Sequence, residues 1–170
     1  MNKTGKEIER KWLLDGELPE TALKLLNTEM IYQGYMSINP EIRIRTSELS
    51  DSSLKSVFTV KGEGDLVRDE VQFEITRDQF DTMLRIAGFS KEDLIHKRLS
   101  VYDYNGYKLE VNYVDAGKET AFNYMEIEFN SIEDAKNFVA PEWFGREITY
   151  EPQYKMKNYW QATRLNKAGE

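Results

Sequence analysis

Glu7-Ile8-Glu9-Arg10-Lys11-Trp12-Leu13-Leu14 sets the architecture, because charged residues recur at every second position in its first half. In a β-strand successive side chains point to opposite faces, so Glu7, Glu9 and Lys11 share one face while Ile8, Trp12 and Leu14 hold the other. Two carboxylates side by side suit a hard divalent cation. A half-buried strand with its charges in water shows the same alternation, so the distinction rests on recurrence elsewhere.

The pattern recurs along the chain. Glu41-Ile42-Arg43-Ile44-Arg45 puts two guanidinium groups on one face and two isoleucines on the other, and Val57-Phe58-Thr59-Val60-Lys61 ends in a lysine. In Arg68-Asp69-Glu70-Val71-Gln72-Phe73-Glu74-Ile75 every second residue is charged or carries an amide, and Tyr124-Met125-Glu126-Ile127-Glu128-Phe129 repeats the paired acids. Strand patterns occupy residues 6–14, 29–38, 41–47, 55–62, 66–76, 94–104, 107–115 and 121–130. Turn signals at Ser50-Asp51-Ser52-Ser53, Gly62-Glu63-Gly64-Asp65 and Asn105-Gly106 make neighbouring strands antiparallel.

Amphipathic segments lie between the strands. Leu18-Pro19-Glu20 predicts a helix running to Asn27, Thr76 caps one from Arg77 to Ala87 that Gly88 ends, and Ser131 caps another through Phe138. Pro152 opens a last helix carrying Tyr159, Trp160 and Leu165. If these helices cover the apolar strand faces, the charged faces line an interior. The predicted fold is therefore α+β: a closed eight-stranded antiparallel β-barrel with a charged lumen, covered by a few helices, in one domain spanning residues 1–170. Enclosed charges are costly unless paired with each other, a metal or a ligand, which makes such a lumen a functional feature.

Composition narrows the partners. With 23 basic and 30 acidic residues the net charge is −7, which argues against a nucleic-acid-coating surface. There is no cysteine, hence no disulfide framework or thiolate metal site. No run of about 18 apolar residues and no signal-type segment is present, so no membrane association and a cytoplasmic location are expected. Either a monomer or a homodimer is compatible with the sequence.

The inward faces carry complementary chemistry. Lys11, Arg43, Arg45 and Lys61 offer guanidinium forks and ammonium charges to clustered anionic oxygens, and polyphosphate is the natural guest. Glu7, Glu9, Glu126 and Glu128 offer oxygen ligands to Mg2+ or Mn2+. Hydrolysis then needs only a water held in line with the terminal phosphorus and stabilisation of the transition-state charge.

These motifs together resemble the CYTH superfamily, the triphosphate tunnel metalloenzymes. The resemblance runs from the E-x-E-x-K signature at Glu7, Glu9 and Lys11 through Gln33-Gly34-Tyr35-Met36, the R-x-R pair Arg43 and Arg45, Lys61, Arg68-x-Glu70 and Glu126-Ile127-Glu128 to Gly145-Arg146-Glu147-Ile148-Thr149 and Tyr154, covering nearly the whole chain. It implies a tunnel that grips a triphosphate with its bases and a divalent metal with its glutamates. Small members of this size are often inorganic tripolyphosphatases; relatives hydrolyse thiamine triphosphate or nucleoside triphosphates, and a class IV adenylyl cyclase branch makes cyclic AMP from ATP. The implied catalytic set is Glu7, Glu9, Lys11, Tyr35 and Glu70, with Arg68 and Arg98 joining Lys11, Arg43, Arg45 and Lys61 as substrate contacts. The substrate is then tripolyphosphate, ATP or thiamine triphosphate, and a binding module without turnover is the alternative of another class.

Three departures stand out. The family's K-x-R on the sixth strand meets His96-Lys97-Arg98, with Arg98 expected to face the lumen; Asn112 stands where an aspartate is common; Gln72 stands between Glu70 and Glu74. Plainer roles are expected for His96 as a structural or surface imidazole, for Tyr159 and Trp160 as helix packing, for Glu17, Glu20, Asp51, Glu92 and Asp93 as solvated charges, for Glu74 and Glu110 near the tunnel mouth, and for Lys155 and Lys157 as decoration of the last helix.

Overall fold

A computed structural model describes residues 2–19, 21 and 23–166. Eight strands close into an antiparallel barrel: β1 Lys3–Leu13, β2 Lys24–Ser37, β3 Glu41–Leu49, β4 Leu54–Lys61, β5 Val67–Ile75, β6 Ile95–Tyr104, β7 Tyr107–Val114 and β8 Phe122–Glu128. Around the barrel the order is β1-β5-β4-β3-β2-β6-β7-β8. Strand β1 closes it by dividing its length, Lys3–Ile8 pairing with β5 and Glu9–Leu13 with β8. The edge that β5 leaves free is taken by the Gly145–Thr149 segment, through Leu13 N to Arg146 O at 2.9 Å and Ile148 N to Lys11 O at 2.8 Å. Gly145 is required there, since its φ is +75° and a Cβ would strike the Leu13 carbonyl oxygen.

Period-two patterning decides which way each strand faces. The outward apolar residues of β1, β7 and β8, among them Trp12, Leu109, Val111 and Ile127, pack with Phe144 and with Phe138 at the end of α2 (Ile132–Asn137). Helix α1 (Arg77–Ala87) lays Phe80 and Leu84 on Ile44 of β3, and its Thr76–Gln79 capping box and left-handed Gly88 fix both ends. Burying each such side chain contributes about 1.5–3 kcal/mol. At one barrel end Ile148, Met156, Tyr159 and Trp160 pack against Tyr35, Ile95 and Tyr124. Gly34 lets Leu94 pack close against β2, because a Cβ there would lie 2.8 Å from the Leu94 side chain. Among the described residues no helix is long and apolar enough to cross a membrane.

Two expectations fail locally. No helix spans residues 18–27: β2 begins at Lys24 and pairs with β6 from Lys24↔Asp103 onward, because β6 is long enough to offer a full ladder. Glu20 lies outside the described residues. The last helix comes in pieces, a 3-10 turn at Pro152–Tyr154, α3 at Met156–Trp160 and a π-helical stretch at Gln161–Leu165. It is tied down by Arg164, which donates to both oxygens of buried Asp115 at 2.6 and 2.8 Å.

Candidate active site

The inward faces enclose a tunnel of about 280 Å3. Its wall holds Glu7, Glu9 and Lys11 of β1, Arg68 and Glu70 of β5, Lys61 of β4, Arg43 and Arg45 of β3, Tyr35 of β2, and Glu126 and Glu128 of β8. Every expected site residue is thus brought together except Arg98.

One part of this wall is already neutralised. Lys61 donates to both oxygens of Glu7 at 2.8 Å and lies 3.0 Å from Glu70. Arg68 bridges Glu7 and Glu9 at 3.0 Å each and reaches Glu41 at 3.3 Å. Lys11 sits 3.0 Å from Glu126, and Lys3 2.6 Å from Glu128. Burial alone would raise the Glu70 carboxyl, but the Lys61 ammonium brings it down to about 2. For Lys11 burial works against charge, yet Glu126 and Glu9 hold the ammonium well above its ordinary range.

A second part is cationic, with carboxylates near but none in contact among the described residues. Among the described residues no carboxylate pairs with Arg43, Arg45 or Lys97. Arg43 reaches only the Thr59 hydroxyl, at 3.3 Å, and the Nε atoms of Arg43 and Arg45 are buried without a partner. Lys97 donates to the Tyr124 hydroxyl at 3.3 Å. Burial, and then the guanidinium groups of Arg45 and Arg43, push its ammonium down to about 8 against the pull of Glu126. Three clustered cations with no carboxylate in contact favour an anion between them.

The acidic side invites the opposite guest. Glu9 stands directly across from Glu128, and Glu126 from Glu110, two like-charged cross-strand pairs. Burial, and then the Glu126 carboxylate, raise Glu110 to about 7. Among the described residues no three acids stand close enough to hold a metal as they are, since Lys3, Lys11, Lys61 and Arg68 draw them apart. The donor set nonetheless fits magnesium or manganese chemically, being all carboxylate oxygen with an excess of negative charge at Glu110 and Glu126.

Arg98 requires a correction. Its register partner is Tyr113, an outward residue whose ring lies 4.2 Å from the guanidinium, so Arg98 is on the outer surface. Strict alternation on β6 turns Lys97 and Leu99 inward instead, and the K-x-R positions fall on a lysine and a leucine. His96 also faces outward, stacked on Tyr32 with ring centroids 4.6 Å apart. Asn112 is inward and fully buried, with neither amide atom hydrogen-bonded. Gln72 lies on the wall, where Thr59 donates to it at 3.2 Å.

Sequence reasoning also missed wall residues. Glu110 is part of the tunnel, a position its alternation with Leu109 and Val111 already implied. Lys155 does not decorate a helix: it lines the tunnel mouth, 2.5 Å from Asp65 and 2.9 Å from the Gly64 carbonyl oxygen. Lys157 is buried and donates to the Ile38 carbonyl at 3.2 Å. Both contacts span 91 or more residues, so no local pattern announces them.

Known proteins are similar to this chain in sequence and in fold. The chain is 30% identical over 158 residues to the inorganic triphosphatase of Nitrosomonas europaea, covering 89% of this chain and 94% of that protein. It is 29% identical over 156 residues to the inorganic triphosphatase of Acetivibrio thermocellus, covering 91% and 92% respectively. The crystal structure of an inorganic triphosphatase superposes with a TM-score of 0.59 at 27% identity, covering 90% of this chain and 93% of that one. No family model matches the chain.

Proposed function

The chain belongs to the CYTH superfamily of triphosphate tunnel metalloenzymes, and from that premise we propose that it is a divalent-metal-dependent triphosphatase acting on inorganic tripolyphosphate in the cytoplasm. The observation that carries this reading is the group Arg43, Arg45 and Lys97, half-buried to buried in the tunnel wall without a carboxylate in contact among the described residues. Arginine forks and a lysine converging from β3 and β6 match the oxygens of consecutive phosphoryl groups.

Each part of the wall then has a task. Arg43, Arg45 and Lys97 bind the phosphate chain, and Lys11, Lys61 and Arg68 hold the acids in register around it. Tyr35 and Tyr124, both buried, exclude bulk water from the chain and strengthen every charge contact beside it. Glu9, Glu126 and Glu128, with Glu7 on the same strand as Glu9, are the residues to hold Mg2+ or Mn2+, which supplies charge neutralisation of the phosphoryl oxygens. Glu70, ionised throughout the physiological range, lies 3.0 Å from Lys61 and helps hold β5 to β4. The inorganic substrate is favoured because the wall offers charges along its length and no described stacking pocket for a base.

Purified protein incubated with tripolyphosphate and magnesium or manganese is expected to release orthophosphate. Absence of release with either metal, across the pH range in which the protein stays folded, overturns the reading.

A further inference from the structure

Lys3 shares the inward face of β1 with Gly5 and Glu7, and its side chain lines the tunnel at the end away from the Lys155 mouth. In the β1–β5 ladder it stands opposite Gln72. On the other side β1 pairs with β8 only over Glu9–Leu13, with one further bond from Phe129 N to Ile8 O at 2.7 Å. Before Ile8 the two strands are no longer paired, and there the Lys3 ammonium reaches across to Glu128, the last residue of β8.

Two carboxylates from different strands converge on this ammonium, Glu128 at 2.6 Å and Glu70 of β5 at 3.4 Å. Each offers it a single oxygen, and the other oxygen of Glu70 lies 3.0 Å from Lys61. One or two protein carboxylates meeting at a point are what a hard divalent cation takes from a protein, its other positions going to water and phosphate oxygen. Here that point is filled by a cation the chain itself supplies. Burial works against the charge, but the Glu128, Glu70 and Glu7 carboxylates hold the Lys3 ammonium above its ordinary value.

The remaining acids are less completely served. Glu9 and Glu126 share Lys11, at 3.7 and 3.0 Å, and Glu110, opposite Glu126, has no cation in contact among the described residues. Negative charge without a fixed partner therefore gathers beside Glu126 and Glu110, away from the Glu70–Glu128 position.

We infer that Lys3 is a built-in substitute for a second divalent cation: its ammonium fills the position between Glu70 and Glu128, so that the tunnel takes up one metal ion, beside Glu126 and Glu110. The inference rests on the metal-dependent triphosphatase reading. It makes Lys3 a positioning residue, which sets the metal count through two carboxylates. Lys3 carries one charge where the ion carries two, and a chelator cannot remove it.

Titration of the purified protein with Mn2+, followed by the electron paramagnetic resonance signal of the free ion, counts the ions bound without any turnover. Mn2+ is kept below the millimolar effective concentration of a tethered group. The native protein is expected to bind one Mn2+ per chain, Lys3→Ala two, and Lys3→Arg, which keeps the cation, one. Lys3→Ala/Glu70→Gln is expected to return the count to one, which locates the added ion. Any count other than one for the native protein overturns the inference, as does a folded Lys3→Ala protein that still binds one, or a Lys3→Arg protein that binds two. Should Lys3→Ala fail to fold, Lys3→Gln takes its place with the same expected count. Orthophosphate release from tripolyphosphate, measured alongside, separates the two readings: release together with a wrong count overturns the inference alone, whereas no release with either metal overturns the triphosphatase reading and the inference with it.

Discussion

Lys61 donates to both carboxylate oxygens of Glu7, each at 2.8 Å, across 54 residues of sequence. A lysine expected to meet substrate is thus engaged in holding β4 to β1 around two acids, Glu7 and Glu70. Lys61→Met leaves both carboxylates buried and close to each other, and its expected cost is about 3–5 kcal/mol of stability. Urea unfolding of the two proteins checks this; a loss below about 1 kcal/mol means the pair is solvated in solution.

Adjacent residues on β6 separate just as sharply. Lys97→Ala is expected to raise KM for tripolyphosphate by about tenfold or more, the loss of one charged hydrogen bond, while Arg98→Ala leaves it within about twofold. Steady-state phosphate release from the two variants decides the facing of this strand.

The low value of Glu70 gives stability a defined acid dependence. With its carboxyl at about 2 in the folded protein against the ordinary 4.5, the unfolded chain binds more protons between those values. The contribution is complete above pH 4.5 and is lost as pH falls through about 2. Glu70→Gln is expected to flatten the melting temperature between pH 4.5 and 3, measured against the native protein by calorimetry; an unchanged slope assigns the acid sensitivity to other groups.

Glu126→Gln removes a hard oxygen donor and leaves Lys11, its 3.0 Å partner, with Glu9 alone at 3.7 Å. The metal concentration for half-maximal activity is expected to rise by about tenfold or more, as for other losses at a metal site. A titration with magnesium and with manganese checks it, and an unaltered midpoint removes Glu126 from the ligand set.

Much of this was readable in the chain because β-strands make period two visible. Glu7, Glu9, Lys11, Arg43 and Arg45 each have at least one outward apolar neighbour, Ile8, Trp12, Ile42 or Ile44, and recur at every second position, so alternation places them inward. His96-Lys97-Arg98 offers three polar residues in a row, and the inward companions of Lys97 are Ile95 and Leu99, whose apolar character imitates an outer face. Leu25-Leu26 at the head of β2 breaks the period in the same way, at a register shift between Leu25 and Asn27, and so read as helix. Lys155 was unreadable for a different reason: its position at the mouth depends on the loop at Gly64 and Asp65, a relation that exists only after folding.

The grip of Arg43, Arg45 and Lys97 on a chain of phosphoryl groups is tested most directly by kcat/KM for tripolyphosphate in Arg43→Ala/Arg45→Ala. Two charged contacts of about 1.5–3 kcal/mol each predict a fall of at least about 100-fold. The melting curve is expected to be unchanged or shifted upward, because neither arginine has a salt-bridge partner among the described residues to lose. A double variant that cleaves tripolyphosphate as fast as the native protein contradicts the account.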